Sequence, residues 1–530
     1  IDISNLYFNS IKSSTIMKIR HFFSLLIVFI SFITNAQNID LSMVDEVVEK
    51  TLEAFNVPGI AVGIVHNDEV VLAKGYGIAN INTGEKVNSS TNFGIASNSK
   101  AFTTTAIALL IDQGKINWDD RVKKYIPEFK MYNDYVTENF TIRDLVVHRS
   151  GLGLGAGDLM VWPDGHDFTP DDIIQNIQHL KPVSDFRTKY DYDNLLYIIA
   201  GVVIERVSGK SWTDFIEENF IQPLNMNRTA ASWNTLKDRS NVIVPHVPID
   251  GELKVVDRYT NSIFDAAAGL YSNIDDLIHW VKFQLNYGKT EDGRQLVSEE
   301  QMKQLSTPQT LQPNRTTEPY NTLFRAYGLG FQLQDMNGKL EVSHTGGLEG
   351  IVTQIIMYPQ LDLGIIVLTN QQSGAAFMSI SNTIKDFYLG LPEKDWVEHY
   401  SELIAKRQGD ADQIVSEVWK TVEENKKKRI AYIDTLVGTY EDPWFGQVEI
   451  TQSKGKLRLV SKRSSQLQGD MFYYKGDTFA VKWDNAYLHA DAFAIIETKE
   501  GKVVGMKMLP ISPLTDFSYD FQDLDFKKVD

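Results

Sequence analysis

The chain contains no cysteine among its 530 residues. This absence excludes disulfide bridges, thiolate nucleophiles and cysteine ligands for zinc. Basic residues are also in the minority, because 52 lysines and arginines stand against 69 aspartates and glutamates, which leaves a formal net charge of −17. Such a charge repels a phosphate backbone, so we expect no nucleic-acid partner.

An apolar run long enough to span a membrane is also missing near the N-terminus. The run at residues 22–33 follows the basic segment 17–20 and precedes Thr34-Asn35-Ala36, an order typical of a secretory signal peptide. We therefore predict a signal peptide over residues 17–36, no stable membrane span after its removal, and a periplasmic or secreted protein. The alternative is an uncleaved N-terminal anchor.

With 43% hydrophobic and 23% charged residues, the chain is long and apolar enough for two or more globular units. Residues 38–392 read as a mixed α/β domain, in which β-branched runs lie at both ends and helical patterns lie between them. We expect its terminal strands to pair in one antiparallel sheet flanked by helices, beside an all-helical lobe. Predicted strands lie at 60–65, 69–74, 339–343, 351–358 and 364–369, and helix N-caps at Thr141, Ser211, Ser272 and Ser298.

A charged stretch at residues 393–434 is predicted to be a helical linker. Beyond it, short β-branched runs alternate with Gly and Asp turns, which predicts a small all-β barrel or sandwich over residues 435–530. Its predicted strands lie at 447–450, 456–460, 478–483 and 502–508.

The first candidate site is Ser97-x-x-Lys100, at the start of a strongly helical run. Residues three apart share a helix face, so Lys100 is expected beside the Ser97 hydroxyl. A serine hydroxyl attacks when a base takes its proton, and an amine of lowered pKa can be that base. The simpler interpretation is that Ser97 only caps the helix. A second Ser-x-x-Lys, at Ser453, lies in turn composition and is expected to face solvent.

The second candidate is Tyr192-x-Asn194, which heads a predicted helix at 195–207. A phenol and an amide at a helix entrance can face one cleft, where the phenol moves protons and the amide holds a carbonyl. The alternative site is Tyr259-x-Asn261, which has no helix after it, and an ordinary surface tyrosine is the simpler interpretation of Tyr192.

The third candidate is His344-Thr345-Gly346-Gly347, at the entrance of the late strands. On an edge strand these residues can line a cleft with a hydroxyl and a donor side chain. The two glycines would let the backbone approach a substrate closely. A lone His-Thr-Gly is more often a turn.

Taken in this order, the three motifs resemble those of the serine β-lactamase and penicillin-binding-protein superfamily, in particular the branch of class C β-lactamases, D-aminopeptidases and esterases. Supporting segments lie at 57–60, 145–152, 267–272 and 327–330, and the resemblance covers roughly residues 40–390. The tail resembles the small β-barrel appended to some members, which would pack near the active-site mouth.

The resemblance implies that Ser97 attacks a carbonyl while Lys100 and Tyr192 share general-base and general-acid roles. The backbone amides of Ser97 and Gly347 would form the oxyanion hole. It further implies a small-molecule or peptide substrate, and no metal or organic cofactor. The residues expected to bind substrate are Asn194, His344, Thr345, Gly346 and Gly347.

Two residues depart from the pattern of this superfamily. His344 replaces a frequent lysine, and a neutral imidazole attracts a substrate carboxylate less than an ammonium does. Asp193 replaces a small residue, which places a charge beside the tyrosine or else in solvent. These departures favour an amidase, peptidase or esterase over a dedicated β-lactamase. A non-hydrolysing acyl acceptor or ligand sensor is the alternative function.

Overall fold

The computed structural model describes residues 39–314, 318–428, 430 and 432–529. The chain divides after Met43 into two compact units, and only residues 39–43 of the first unit are described. The predicted signal peptide at 17–36 lies outside the described residues.

The helices lie mainly between the first and last strands of the α/β domain. In chain order they are α1 (Leu41–Ala54), α2 (Ser99–Asp112), α3 (Asp134–Asn139), α4 (Ile142–Leu145), α5 (Pro170–Asn176), α6 (Leu195–Ser208), α7 (Trp212–Ile216), α8 (Asp265–Ala268), α9 (Ile274–Leu285), α10 (Glu299–Leu305), α11 (Gly374–Leu389), α12 (Trp396–Asn425) and α13 (Ile433–Leu436).

The strands of this domain are β1 (Gly59–His66), β2 (Glu69–Gly77), β3 (Phe93–Gly94), β4 (His246–Ile249), β5 (Glu252–Val255), β6 (Tyr271–Ser272), β7 (Thr310–Gln312), β8 (Arg325–Tyr327), β9 (Gln332–Met336), β10 (Lys339–Leu348), β11 (Ile351–Tyr358) and β12 (Leu363–Thr369). Eight of them form an antiparallel sheet in the order β2-β1-β12-β11-β10-β9-β8-β7. The pairs β3–β6 and β4–β5 form two small ribbons.

The two ends of the domain meet in the centre of this sheet, as the sequence predicts. Strand β1 pairs with β12, with Ile60 opposite Thr369. Both strands are buried along almost their whole length, because α9 and α11 pack against them. The α/β fold with an inserted helical lobe is therefore confirmed.

Three of the four predicted helix caps are confirmed and one is wrong. Thr141, Ser211 and Ser298 each accept a hydrogen bond from a backbone N–H in the first turn of a helix. Ser272 instead belongs to β6, and its hydroxyl lies 2.7 Å from that of Thr229. Helix α9 therefore starts one residue later, and its cap is Asn273.

The C-terminal region is a closed antiparallel barrel. Of the two all-β forms that the sequence predicts, the barrel is therefore confirmed and the sandwich is not. Helix α12 packs along it, and Val418 and Val422 of the helix meet Ala480 and Ile511 of the barrel. The barrel strands are β13 (Gly438–Asp442), β14 (Gly446–Ser453), β15 (Lys456–Ser461), β16 (Gln468–Lys475), β17 (Thr478–Trp483), β18 (Ala492–Lys499), β19 (Lys502–Pro510) and β20 (Asp525–Lys528).

The barrel is held against the helical lobe by polar contacts. The Arg463 guanidinium lies 3.1 Å from the Asp172 carboxylate, and Lys181 pairs with Asp525 at 2.8 Å. These contacts position the barrel loop, residues 511–524 between β19 and β20, against the α/β domain. Within the described part of the chain, no helix combines the length and apolarity needed to cross a bilayer.

Candidate active site

Ser97 lies in a tight turn that leads into helix α2. The preceding Ala96 has a φ of +50°, in the left-handed region that non-glycine residues rarely adopt. Residues Ala96–Asn98 form one 3₁₀ turn, and Asn98 occupies the N-cap position of α2. Ser97 therefore does not cap the helix, and its partly exposed side chain lines a cavity instead.

Lys100 is fully buried directly beneath Ser97. Its Nζ lies 3.0 Å from Ser97 Oγ, 2.8 Å from Asn194 Oδ1 and 3.0 Å from the Ala267 carbonyl oxygen. Burial lowers the pKa of Lys100 to about 7, although two nearby carboxylates act in the opposite direction. In a large fraction of the molecules Lys100 is therefore a free amine at neutral pH, and this is the form that can take a proton from serine.

Tyr192 lies on the other side of the nucleophile. The Lys100 Nζ is 4.9 Å from the centre of its ring, and Tyr192 lines the same cavity as Ser97. Burial raises the pKa of Tyr192 well above its ordinary value of 10. The phenol is therefore neutral at physiological pH and is suited to donating or relaying a proton.

Asn194 connects the amine to a buried carboxyl group. Its Oδ1 accepts from Lys100, and its Nδ2 donates to Asp158 Oδ2 at 2.8 Å. The same oxygen accepts from the Ser518 hydroxyl at 2.8 Å. Burial and the neighbouring Asp193 raise the pKa of Asp158 well above its ordinary value. The two partners of Asn194 determine the orientation of its amide.

The barrel loop contributes directly to this arrangement. Ser518 belongs to it, and the Asp520 carboxylate accepts the backbone N–H groups of Gly157 at 2.7 Å and Leu159 at 2.9 Å. These amides flank Asp158. Phe517 places its ring edge-on to that of Tyr192, with 5.8 Å between centroids. The expectation that the barrel packs near the active-site mouth is confirmed.

Asp193 is buried rather than facing solvent. Burial raises its pKa to about 7, and its backbone N–H donates to His148 Nδ1 at 3.1 Å. The His148 ring packs against Tyr192 with 4.2 Å between centroids. Burial and the Lys100 charge lower the pKa of His148 well below its ordinary value. The ring that packs against Tyr192 is therefore a neutral imidazole.

The His-Thr-Gly-Gly motif lies on strand β10, as predicted. The strand pairs with β9 only over residues 339–343, whereas residues 342–348 pair with β11. The part of β10 that carries the motif is therefore paired with β11 on one side and not with β9 on the other. The start of β10 lies inside the sheet. Thr345 and Gly347 line the cavity.

His344 is held by two groups of the protein. Its Nδ1 donates to the Thr345 carbonyl at 2.6 Å, and its Nε2 accepts from the Tyr327 hydroxyl at 2.9 Å. Burial and the Lys100 charge lower the pKa of His344 to about 3, so the imidazole is neutral. Both ring nitrogens are engaged, and His344 offers no positive charge to a ligand.

These groups open into one cavity of about 510 Å³. Its lining comes from the helical lobe, from the sheet edge and from the barrel. The lining residues are Ser97, Leu154, Trp162, Tyr190, Tyr192, Asn194, Phe264, Gln332, His344, Thr345, Gly347, Leu348, Glu349, Val352, Gln372, Tyr487, Leu488, His489, Leu514, Asp516, Phe517, Ser518 and Tyr519.

Three residues that the motifs singled out lie away from this cavity. Gly346, expected to bind substrate, does not line it, because Gly346 packs so closely on Ile95 that a Cβ would lie 2.3 Å from its carbonyl oxygen. Tyr259 donates its hydroxyl to the Val161 carbonyl at 2.9 Å, away from the cavity. Ser453 is exposed at the end of β14, as expected of a turn.

Asp158, Ser518 and Asp520 belong to the site although the sequence motifs do not include them. No local pattern marks them, because the hydrogen bond between Asp158 and Ser518 joins residues 360 positions apart. A serine and an aspartate two residues apart in a turn-rich segment carry no signal that could have found them. Among the described residues, no cluster of three or more His, Asp or Glu side chains is arranged to hold a metal ion.

The family of the chain follows from its similarity to known proteins. The profile of the Beta-lactamase family matches residues 44–386, and that of a domain of unknown function, DUF3471, matches residues 423–528. Among solved structures, this chain is similar to the octameric penicillin-binding protein homologue from Pyrococcus abyssi, with a TM-score of 0.58 and 21% sequence identity. The alignment covers 92% of this chain and all of the homologue's chain.

Similar sequences cover a smaller share of the chain. Protein flp of Staphylococcus aureus (strain N315) is 29% identical over 357 residues, which are 64% of this chain and 65% of that protein. The chain therefore spans just under two thirds of that relative's length. Unguisins hydrolase ungD' of Aspergillus campestris is 27% identical over 79% of both chains. The resemblance inferred from the three motifs is confirmed, and the chain belongs to the β-lactamase family, with a DUF3471 domain at its C-terminus.

Proposed function

We propose that this protein is a serine hydrolase that cleaves an amide or ester through an acyl-enzyme on Ser97. The observation that carries the proposal is the 3.0 Å contact between Ser97 Oγ and the buried amine of Lys100. The lowered pKa of that amine, about 7, supports the role of base. A relative named as a hydrolase, at 27% identity, supports hydrolysis as the outcome.

In the acylation step, Ser97 Oγ bonds to the carbonyl carbon and its proton passes to the free amine of Lys100. The carbonyl oxygen becomes an oxyanion, which we assign to the backbone N–H groups of Ser97 and Gly347. Loss of one such donor typically slows an acyl transfer by about 10²–10³-fold. Asn194 and Thr345 lie in the same cavity and are assigned to substrate binding.

Collapse of the oxyanion breaks the bond to the leaving nitrogen or oxygen, which takes the proton from the Lys100 ammonium through the neutral phenol of Tyr192. Water then attacks the acyl-enzyme and gives its proton to the same amine. The second tetrahedral intermediate breaks its bond to Ser97 Oγ, which takes that proton back from the Lys100 ammonium, and the free acid leaves. Lys100 ends in its starting state, so the cycle needs no further reactant.

The cavity is poorly suited to a substrate carboxylate. Its described lining contains no lysine or arginine, and His344 is neutral. We therefore favour an amidase, peptidase or esterase over a dedicated β-lactamase.

We also propose that the protein acts after export, in the periplasm or outside the cell. The support is the basic segment, short apolar run and small-residue exit at residues 17–36. Mass spectrometry of the protein recovered from a bacterial host's periplasm should show a mature N-terminus near Gln37. A retained leader would contradict this proposal.

The direct test of the hydrolase is intact-mass spectrometry with a fluorophosphonate and a short-chain p-nitrophenyl ester. The wild type should gain one adduct and release nitrophenol repeatedly, and Ser97→Ala should do neither. Ser453→Ala is the matched control, because it removes the serine of the other Ser-x-x-Lys. An adduct without turnover would favour an acyl acceptor or sensor, and an equal adduct on Ser97→Ala would exclude Ser97 as the nucleophile.

A further inference from the structure

The barrel borders a second cavity, at the end away from the active site. Its strands follow one another around the wall, so the connections between them alternate between the two ends. The barrel loop and the connection at 484–491 line the active-site cavity, whereas the hairpin turns at 453–456, 475–478 and 499–502 lie at the opposite end. The second cavity, of about 410 Å³, is lined by the first of these turns and shares none of its described lining residues with the active-site cavity.

This cavity forms where two barrel strands separate. Strand β15 pairs with β16 as far as Leu457 opposite Met471, although β16 continues for four more residues. Helix α12 covers the gap, where the Asn425 side chain donates to the Tyr474 carbonyl at 2.5 Å and Val422 lines the cavity. The space between the helix and the separating strands is therefore built into the fold.

The interior of the cavity is apolar. Leu457 lies opposite Met471, and Tyr473, two residues further along β16, lies opposite Phe479. Opposed residues and residues two apart point to the same side of a sheet, so these four side chains face one way. Phe472 also lines the cavity and is 38% exposed. The volume is within the range of about 300–1,000 Å³ that small-molecule sites occupy.

The rim of the cavity is positively charged, although the chain as a whole has a net charge of −17. Its described lining includes three lysines, Lys426, Lys428 and Lys456. Lys426 pairs with the glutamate three residues before it, and the one acid of the lining, Asp470, pairs with Arg458 at 3.2 Å. Ion pairs found in the described part of the chain include neither Lys428 nor Lys456, both of which are exposed. Two ammonium groups are therefore left to attract an anion.

We propose that this cavity binds a single-chain amphiphile with an anionic head group. The apolar interior holds the alkyl chain, and Lys428 and Lys456 pair with a carboxylate or a phosphate at the rim. A purely apolar ligand would not use the lysines, and a small soluble anion would not use the interior. The site goes beyond the proposed hydrolysis, because the barrel separates it from Ser97 and the ligand does not compete with the substrate.

Isothermal titration calorimetry with decanoate, below its micelle-forming concentration, tests the site without any turnover. Octanoate should bind about fifteenfold more weakly, because each buried methylene strengthens binding about fourfold. The neutral 1-decanol should bind about tenfold more weakly than decanoate, since two exposed ion pairs are worth about threefold each. Decyltrimethylammonium should bind more weakly still. Decyl phosphate distinguishes the head groups: tighter binding than decanoate identifies a phosphate, and weaker binding a carboxylate.

Substitutions then locate the site. Lys428→Gln and Lys456→Gln should each weaken decanoate about threefold and leave 1-decanol within about twofold of wild type. Phe472→Ser, at a partly exposed position, should weaken both ligands because it removes apolar lining. Lys499→Gln is the matched control and should bind as the wild type does, since Lys499 is exposed in a turn at the same end of the barrel but does not line the cavity.

Three results would overturn this proposal. They are absence of decanoate binding, equal affinity for decanoate and decyltrimethylammonium, and an unchanged Kd for decanoate in the double variant of Lys428→Gln and Lys456→Gln. Labelling of Ser97 with a fluorophosphonate should leave decanoate binding unchanged. Loss of binding after labelling would place the amphiphile in the active-site cavity, which would also overturn the barrel site.

Discussion

Acylation of Ser97 by a neutral fluorophosphonate should follow the titration of Lys100. The amine must be unprotonated to accept the serine proton, so the labelling rate should rise with pH and level off above the pKa of Lys100. That pKa is about 7 because the side chain is fully buried. Neither His148 nor His344 titrates in this range, since the pKa of each is lowered by burial.

The expected size of the effect follows from the pKa. At pH 6 about 9% of a group with a pKa of about 7 is free amine, and at pH 8 about 91% is, so the rate should rise about tenfold between these values. An exposed lysine, with an ordinary pKa near 10.4, would instead give a rate that climbs about tenfold per unit up to pH 10.

The assay is stopped-flow or gel-based labelling at fixed reagent concentration from pH 5 to pH 10, followed by intact mass. Asp193 also has a pKa of about 7 and lies close enough to raise that of Lys100, so the two titrations are coupled. Asp193→Asn removes that carboxylate, and the profile should move to lower pH. A profile that loses its pH dependence in Asp193→Asn, or that keeps climbing to pH 10 in the wild type, would refute Lys100 as the base.

Three further outcomes are expected. Ser518→Ala removes one of the two donors to the buried Asp158 carboxyl, so kcat for a neutral ester should fall about tenfold, and the free energy of unfolding by about 1–2 kcal/mol in urea titrations. Lys385→Met leaves the buried Glu341 without its cation, which lies 3.4 Å away, and should lower the free energy of unfolding by about 3–5 kcal/mol. A p-nitrophenyl ester of succinate, with its free carboxylate, should have a kcat/KM at least about tenfold below that of the butyrate ester, because Glu349 lies in the cavity.

Each of these outcomes has its own control. Ser512→Ala removes another hydroxyl from the barrel loop without touching Asp158, and an equal loss of kcat in both variants would contradict the positioning role of Ser518. The double variant Lys385→Met with Glu341→Gln should recover part of the lost stability, and a loss below about 1 kcal/mol in Lys385→Met alone would contradict the ion-pair argument. Equal rates for the succinate and butyrate esters would contradict the negative field of the cavity.

Local features of the fold could be predicted because they depend on neighbours in the chain. The hairpin of β1 and β2 follows from β-branched runs around His66-Asn67-Asp68, and positive φ values at Asn67 and Asp68 suit that turn. Cap prediction was wrong at Ser272, because strand pairing with Phe93 claimed the serine and moved the helix start. A tertiary contact decided between two adjacent residues that are both good caps.

The contact between Ser97 and Lys100 could be predicted from their three-residue spacing, because side chains three apart in a helical turn lie close together. The sequence also indicated the family through the order of three motifs. The pKa of Lys100 could not be predicted in this way, since it requires burial by distant segments, and neither could the hydrogen bond from Ser518 to Asp158, which joins the two domains. The reason is physical: spacing along one element is set by backbone geometry, whereas desolvation and long-range hydrogen bonds exist only once the barrel and the helical lobe have packed together.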